Sequence, residues 1–147
     1  MLWIYFGNVP FVDETDPIGV FTPDQITRPD LFDWIEAELL SIEDDLLEPA
    51  SVPYGRASKA AAQTLLGKMY LNAEVYTNNP RWDDCITYCN KVIDNGGFSL
   101  SPSYSELFMA DNHTSSEIIF PVCFDGQYTQ TWGCLLYTSP SPRDTNP

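Results

Sequence analysis

The chain has 147 residues, of which 21 are Asp or Glu and 7 are Lys or Arg, so its formal net charge is −14 at pH 7. Binding to nucleic-acid phosphates or to an anionic membrane surface requires clustered Lys and Arg, and this composition excludes both. The hydrophobic share of 44% is typical of a globular chain. No apolar run reaches the roughly 18 residues of a membrane-spanning helix, and residues 1–6 lack the features of a signal peptide.

The N-terminal part of the sequence predicts irregular structure. Gly7 and the residue before Pro10 both disfavour a continued helix, so residues 7–10 are interpreted as a turn. Residues 13–27 are acidic and polar and contain two prolines, which is typical of an irregular connection.

Residues 27–47 carry apolar side chains at intervals of three and four, the period of one face of an α-helix. Thr27 is a suitable N-cap, and Asp30 in the first turn favours the positive end of the helix dipole. The opposite face is strongly acidic and includes Glu36 and Glu43. Because no D-x-[DN]-x-[DN]-G loop is present, we expect these acids to be solvated rather than to bind calcium.

Two more helices are predicted downstream. Residues 59–76 have the helical period, with Ser58 as a suitable N-cap. A third helix begins after the Asn79-Pro80 pair and ends at residues 95–97, which include two glycines suited to a left-handed backbone.

These two helices carry a recognisable repeat pattern. The motif Leu66-Gly67-x-x-Tyr70 fits the first helix of a tetratricopeptide repeat. The matching small or aromatic sites of the second helix fall at Cys85, Cys89 and Val92. The sequence therefore predicts an antiparallel helix pair of the tetratricopeptide type, and an ordinary helical hairpin is the alternative.

The cysteines and tryptophans of the three helices are expected to be core residues. Cys85 and Cys89 lie on one helical face, but their spacing is not the C-x-x-C of zinc and redox motifs, and His113 is the only histidine. We therefore expect no metal site and interpret both thiols as small buried hydrophobic groups. Trp34 and Trp82 fall on apolar helical stripes, which favours burial.

The C-terminal part of the sequence predicts little regular structure. Residues 117–124 form a short extended segment, in which Pro121 permits only an edge or irregular pairing. Residues 134–144 resemble one reading frame of a common sequencing adapter. We therefore expect a helical domain over residues 1–133 and a non-native tail over residues 134–147, with a natural Pro/Ser-rich tail as the alternative.

The order and spacing of several short motifs together resemble the RagB/SusD family, and the resemblance covers nearly all of residues 3–125. Each motif is weak alone. They lie at residues 6–10, 55–61, 66–71, 91–96, 98–100, 104–108 and 117–120.

This resemblance implies a mainly α fold, a scaffold of tetratricopeptide-like hairpins with irregular loops, of which the chain is a partial domain. Family members are outer-membrane lipoproteins of Bacteroidota that bind glycans at the cell surface without catalysis or a cofactor. They form a lid on a TonB-dependent transporter that imports the oligosaccharide. Membrane attachment through an N-terminal lipid is implied by the family alone.

The segment 125–133 combines aromatic rings with amides and hydroxyls, the composition of a sugar-binding loop. Trp132 and Tyr128 are the predicted stacking platforms. The predicted polar partners are Gln127, Gln130 and Asp125. The alternative is that these residues only pack the loop against other parts of the fold.

Two other functional classes are alternatives to glycan binding. A tetratricopeptide-type interaction scaffold would share the fold and bind a peptide in a concave groove, but only one helix pair is visible. A glycoside hydrolase is disfavoured because nothing in the sequence distinguishes one acid as buried, and His113 lies in a polar run with no visible triad. We also expect residues 1–133 alone to be marginally stable or prone to aggregation.

Overall fold

The computed structural model of the chain describes residues 7–17, 19, 22–109 and 112–123. The helices of this part are α1 (Arg28–Glu43), α2 (Lys59–Leu71), α3 (Ala73–Thr77) and α4 (Trp82–Asn95). Shorter elements are the 3-10 turns Pro49–Ser51, Tyr104–Phe108 and Asn112–Thr114 and the two-residue strands β1 (Val9–Pro10) and β2 (Gln25–Ile26). The predicted mainly α fold is confirmed. The predicted tail at residues 134–147 lies outside the described residues.

A short antiparallel pairing was not predicted at the N-terminus, whereas the described residues 13–17, 19 and 22–24 form the irregular connection that was predicted. Val9 lies opposite Ile26, and the backbone N–H of Phe11 donates to the carbonyl of Asp24 at 3.0 Å. Gly7 precedes this pairing with a left-handed φ of +76°. Because Val9 and Ile26 are β-branched and directly opposed, side-chain packing favours the extended backbone there.

Helix α1 begins as predicted and ends earlier than predicted. The Thr27 side chain accepts a hydrogen bond from the backbone N–H of Asp30, so the predicted N-cap is confirmed. The helix ends at Glu43 rather than near Leu47. Its last turn has no basic residue, and the carboxylate at the C-cap, Asp44, lies at the negative end of the helix dipole, which disfavours extension.

The predicted second helix is interrupted. It breaks at Asn72, whose backbone N–H donates to Met69 and whose side chain donates to the carbonyl of Lys68, and α3 follows. Ser58 occupies the N-cap position, but its side chain makes no capping hydrogen bond, so the predicted capping role is wrong. Asn side chains compete with the helix ladder for backbone groups, which explains the break.

Helix α4 packs along α2, and the two form the predicted tetratricopeptide-like hairpin. An ideal Cβ on Gly67 would lie 3.5 Å from the sulfur of Cys89, so the helices approach closely at the glycine of the repeat motif. The bundle core consists of Phe32, Leu66, Met69, Tyr70 and Ala73, which come from α1, α2 and α3.

Trp34 and Trp82 are not core residues, contrary to the prediction. They are 39% and 47% exposed, and Trp34 meets Phe11 edge-on with 5.0 Å between ring centroids. The outward side of α4 also exposes Ile86 and Ile93, because within the described residues α2 covers only one side of that helix. No helix among the described residues combines the length and hydropathy of a membrane span.

Residues 98–109 and 112–123 follow the bundle as irregular chain with two 3-10 turns. The backbone N–H of Ser99 donates to Ser116 at 3.3 Å, and that of Ser101 donates to the Glu117 carboxylate at 2.9 Å. The described part of the predicted extended segment, residues 117–123, forms no strand ladder. The segment contacts Ser101 through the Glu117 side chain rather than through a ladder of backbone hydrogen bonds, as expected for a segment that contains Pro121.

Candidate functional site

The predicted sugar-binding residues Asp125, Gln127, Tyr128, Gln130 and Trp132 lie outside the described residues. Three other groups of polar side chains among the described residues are relevant to function. Two are carboxylate clusters between the helices, and the third is a cleft formed by two loop segments.

The first carboxylate cluster surrounds Glu36 of α1. Its carboxylate accepts a hydrogen bond from the Tyr70 hydroxyl at 2.7 Å and two from Arg81 at 2.7 and 2.9 Å. The Arg81 guanidinium also lies over the Tyr70 ring, 4.5 Å from its centroid, and its Nε donates to Asp84. Burial, followed by the hydrogen bond to Glu36, raises the pKa of Tyr70 well above its ordinary value.

The second cluster surrounds Glu43 at the end of α1. Its carboxylate accepts hydrogen bonds from the Gln63 amide at 2.9 Å, the Lys91 ammonium at 3.0 Å and the Tyr88 hydroxyl at 3.1 Å. Burial alone would raise the pKa of Glu43, but the hydrogen bonds from Gln63 and Lys91 outweigh it, and the pKa is lowered. The Glu43 residue is only 8% exposed.

The prediction that the acids of α1 are solvated is wrong for Glu36 and Glu43, whereas Asp33 and Glu38 are exposed as predicted. Glu36 and Glu43 lie two turns apart on the side of α1 that faces the hairpin, and each binds one tyrosine and one cation supplied by the other helices. Because their oxygens are engaged by protein donors, the clusters fix the packing of three helices rather than offer a vacant ligand site.

The third place is a cleft between residues 49–58 and residues 113–121, which we call the Tyr54 cleft. It has a volume of about 160 Å³. Its walls are formed by Pro49, Val52, Pro53, Tyr54, Gly55, Arg56 and Ser58 on one side and by Phe98, His113, Ser115, Ile118, Ile119 and Pro121 on the other.

Tyr54 is presented to solvent at the mouth of the cleft. Its residue is 61% exposed, and its ring meets the His113 ring edge-on, with 6.4 Å between centroids and 80° between planes. Gly55 follows with a left-handed φ of +82°, and an ideal Cβ there would lie 3.1 Å from the Cys123 sulfur. The glycine therefore permits the tight turn that holds the Tyr54 ring outward.

Ser58 lies in the wall of the cleft and leaves its hydroxyl unused. The residue is 1% exposed, and its Oγ has no hydrogen-bond partner. A buried hydroxyl without a partner costs about 1–3 kcal/mol, so such groups are rare in folded proteins. The cleft thus contains one polar group for which the fold itself supplies no bond.

The electrostatic character of the Tyr54 cleft differs from that of the rest of the chain. The chain has 21 acidic residues, yet no Asp or Glu is among the residues that line the cleft. Arg56 is exposed there, and it forms no ion pair within the part of the chain that the structure describes. The lining of the cleft therefore carries the Arg56 cation and no carboxylate, in contrast to the acidic composition of the whole chain.

Sequence reasoning missed the cleft because its two walls are about sixty residues apart in the chain. In the sequence, Ser58 is a suitable N-cap and His113 lies in a polar run, and neither signal indicates that the two residues share a site. One signal was available: no acid occurs between Glu48 and Glu74 in a chain rich in acids. That stretch contains one wall of the cleft.

The cysteines offer no further site. Cys85 is half-buried and packs against the core, and burial followed by its neighbour Cys89 raises the pKa of its thiol. Cys89 is exposed, so the expectation that both are buried is wrong for this residue. In the described ranges, no three His, Cys, Asp or Glu side chains converge as metal ligands would.

No protein-family model matches the chain. The chain is 38% identical over 136 residues to the starch-binding protein SusD of Bacteroides thetaiotaomicron, a match that covers 90% of this chain and 24% of SusD. Its structure matches surface glycan-binding protein A from Bacteroides uniformis with a TM-score of 0.63 and 28% identity, covering 81% of this chain and 26% of that chain.

The chain is therefore SusD-like in sequence and in fold, and the resemblance inferred from the ordered motifs is confirmed. It spans about a quarter of the length of each of these relatives. Both relatives are named for binding rather than for catalysis.

Proposed function

We propose that the protein binds an oligosaccharide at the bacterial cell surface and does not cleave it. The observation that carries this proposal is the 38% identity to the starch-binding protein SusD over 90% of the chain. The similarity to a surface glycan-binding protein supports it from the structural side.

The carboxyl groups of the described residues support a role without catalysis. A glycosidase needs one carboxyl group held protonated by a raised pKa beside a second that is ionised. The pKa values of the Asp13 and Glu43 carboxyl groups are lowered instead. Hydrogen bonds from Thr15 lower the pKa of Asp13, and for Glu43 those from its partners outweigh the opposing effect of burial. Neither group is suited to protonate a glycosidic oxygen.

Within this proposal, Trp132 and Tyr128 stack against sugar rings, while Gln127, Gln130 and Asp125 bond the sugar hydroxyls. The protein is held at the outer membrane by an N-terminal lipid and works with a TonB-dependent transporter that imports the glycan. Support for the surface location comes from the relatives, and support for the transporter comes from the family resemblance.

A glycan panel tests the binding proposal. We expect saturable binding to at least one oligosaccharide class, and we expect Trp132→Ala and Tyr128→Ala to weaken it by up to about tenfold each, since stacking of one aromatic ring contributes roughly 0.5–1.5 kcal/mol beyond its area. Trp82→Ala is the matched control, because Trp82 lies at the start of α4, outside the predicted loop. Binding to no glycan on the panel would end the proposal.

Affinity purification from outer membranes of a producing bacterium tests the transporter partner. We expect a TonB-dependent transporter to be recovered with the tagged protein in stoichiometric amount. Recovery of the protein without any outer-membrane partner would contradict this part of the proposal and leave glycan binding unaffected.

A further inference from the structure

We propose that the Tyr54 cleft binds an acidic sugar unit, that is, a pyranose ring that carries a carboxylate, within the bound oligosaccharide. This inference rests on the proposed glycan-binding function and specifies the substrate class. It concerns a site separate from the predicted loop at residues 125–133.

The charge of the cleft is the first argument. A carboxylate that approaches a chain of net charge −14 is repelled by most of its surface. The lining of the Tyr54 cleft contains no Asp or Glu and includes Arg56. A guanidinium is permanently charged and matches a carboxylate with two parallel hydrogen bonds, so Arg56 is suited to select an acidic sugar over a neutral one.

The size and walls of the cleft are the second argument. Its volume of about 160 Å³ is smaller than the ~300–1,000 Å³ of pockets for drug-sized ligands, which suits one sugar ring of a chain that continues into solvent. The Tyr54 ring is exposed at the mouth and can stack against the apolar face of a pyranose. The His113 ring, edge-on to Tyr54, adds a nitrogen donor beside that platform.

The unused hydroxyl of Ser58 is the third argument, and it is independent of the charge. Ser58 lines the cleft, is 1% exposed and has no hydrogen-bond partner for its Oγ. The backbone N–H of Lys59 donates instead to the carbonyl of Leu47 at 2.9 Å, so the fold gives Ser58 no capping role there. A sugar hydroxyl, which can both donate and accept, supplies the missing bond.

A neutral sugar would satisfy only part of this arrangement. It would use the Tyr54 platform and the Ser58 hydroxyl, but it would leave Arg56 without a counter-charge. The geometry therefore favours a uronate-type ring over a neutral hexose.

Calorimetric titration with two trisaccharide probes of equal length, trigalacturonate and maltotriose, tests the inference. We expect trigalacturonate to bind at least about tenfold more tightly, since a charge-assisted hydrogen bond is roughly twice as strong as a neutral one. We also expect this preference to shrink as salt is raised, because partly exposed charge pairs are screened.

Matched variants test whether the preference for trigalacturonate depends on residues of the Tyr54 cleft. Arg56→Gln is expected to remove the preference for trigalacturonate, while Lys68→Gln makes the same charge change on the exposed surface of α2 and is expected to preserve it. Tyr54→Ala is expected to weaken trigalacturonate binding about tenfold, and Tyr104→Ala, at a residue 77% exposed and outside the cleft, is expected to leave it unchanged. Circular dichroism of each variant verifies the fold.

The possible failures are distinguishable. Equal affinity for the two probes, or an equal effect of Arg56→Gln and Lys68→Gln, overturns the acidic-sugar inference and leaves glycan binding in place. If neither probe nor any glycan of the panel binds to the folded protein, the proposed function fails together with the inference.

Discussion

The helical bundle and the Tyr54 cleft meet at Ser58, the N-cap position of α2, but their buried polar side chains differ in hydrogen bonding. Within the bundle, the buried Glu43 accepts three hydrogen bonds, and Tyr70 donates to Glu36 at 2.7 Å. At the start of α2, the buried Ser58 hydroxyl has no partner. The difference shows that Glu43 and Tyr70 are engaged by other helices, whereas the Ser58 hydroxyl remains available to a ligand.

The two regions also differ in how they use aromatic rings. Tyr70 is 2% exposed and joins the core, whereas Tyr54 is 61% exposed beside His113. Local rules of folding are expected to fail mainly at functional sites, which is why the cleft rather than the bundle is the candidate for ligand binding.

Removing a core side chain is expected to cause the largest loss of stability in the bundle. Leu66 is fully buried at the centre of the core, so Leu66→Ala is expected to lower the free energy of unfolding by about 3 kcal/mol through lost burial and a residual cavity. Urea denaturation followed by circular dichroism measures this. The neighbouring Leu65 is 53% exposed, and Leu65→Ala should cost less than about 1 kcal/mol. Equal losses of unfolding free energy in the two variants would contradict the assignment of Leu66 rather than Leu65 to the core.

Removing the carboxylate of Glu43 is the next largest expected effect. Glu43→Ala leaves Gln63, Tyr88 and Lys91 without their common acceptor and should cost about 2 kcal/mol. Glu38→Ala, on the exposed surface of the same helix, is the control and should change stability by less than about 0.5 kcal/mol.

The same cluster predicts a pH dependence with a definite sign. The folded-state pKa of Glu43 is lowered, so its contribution is present above the pKa of an unfolded glutamate and is lost as the pH falls through the lowered folded value. Urea midpoints measured from neutral pH down to acid should therefore decline less in Glu43→Gln than in the original chain. Parallel declines would contradict the role assigned to Glu43.

Two glycines differ in the space that is available for a Cβ atom. A Cβ on Gly96 would lie 2.4 Å from the Val92 carbonyl oxygen and 2.7 Å from the Phe98 ring, so Gly96→Ala should cost about 1.5 kcal/mol. At Gly67 the closest atom would be the Cys89 sulfur at 3.5 Å, an ordinary contact. Gly67→Ala should therefore leave stability unchanged or raise it by up to about 1 kcal/mol. Thermal melting of both variants checks the order.

The smallest expected effect distinguishes the two N-caps. Thr27 accepts a bond from Asp30, so Thr27→Ala should cost about 1 kcal/mol. Ser58 occupies the corresponding position on α2 without capping it, so Ser58→Ala should leave stability unchanged or increase it by about 1 kcal/mol. A loss at Ser58 equal to that at Thr27 would mean that the hydroxyl is bonded after all.

Local signals in the sequence were sufficient for the helices and insufficient for their ends. Apolar periodicity located α1, α2 and α4, and Thr27 marked the start of α1. The early end of α1 and the break at Asn72 depend on interactions of the backbone with side chains and with the helix dipole. Each of these interactions contributes little free energy, and none of them produces a periodic pattern in the sequence.

The partners of individual side chains could not be predicted in the same way. Which acids of α1 become buried depends on Tyr70, Arg81 and Lys91, residues that lie 34, 45 and 48 positions from their acceptors. The Tyr54 cleft likewise depends on contact between segments distant in sequence. By contrast, the family resemblance was predictable because it rests on the order of motifs and needs no tertiary contact.

The most direct test of the central claim, glycan binding without cleavage, is one titration in which the glycan is recovered afterwards. The folded protein is titrated with oligosaccharides from the panel, and the bound glycan is then released and its chain length determined by mass spectrometry. We expect saturable binding and full recovery of intact glycan. Absence of binding, or recovery of shortened products, would contradict it.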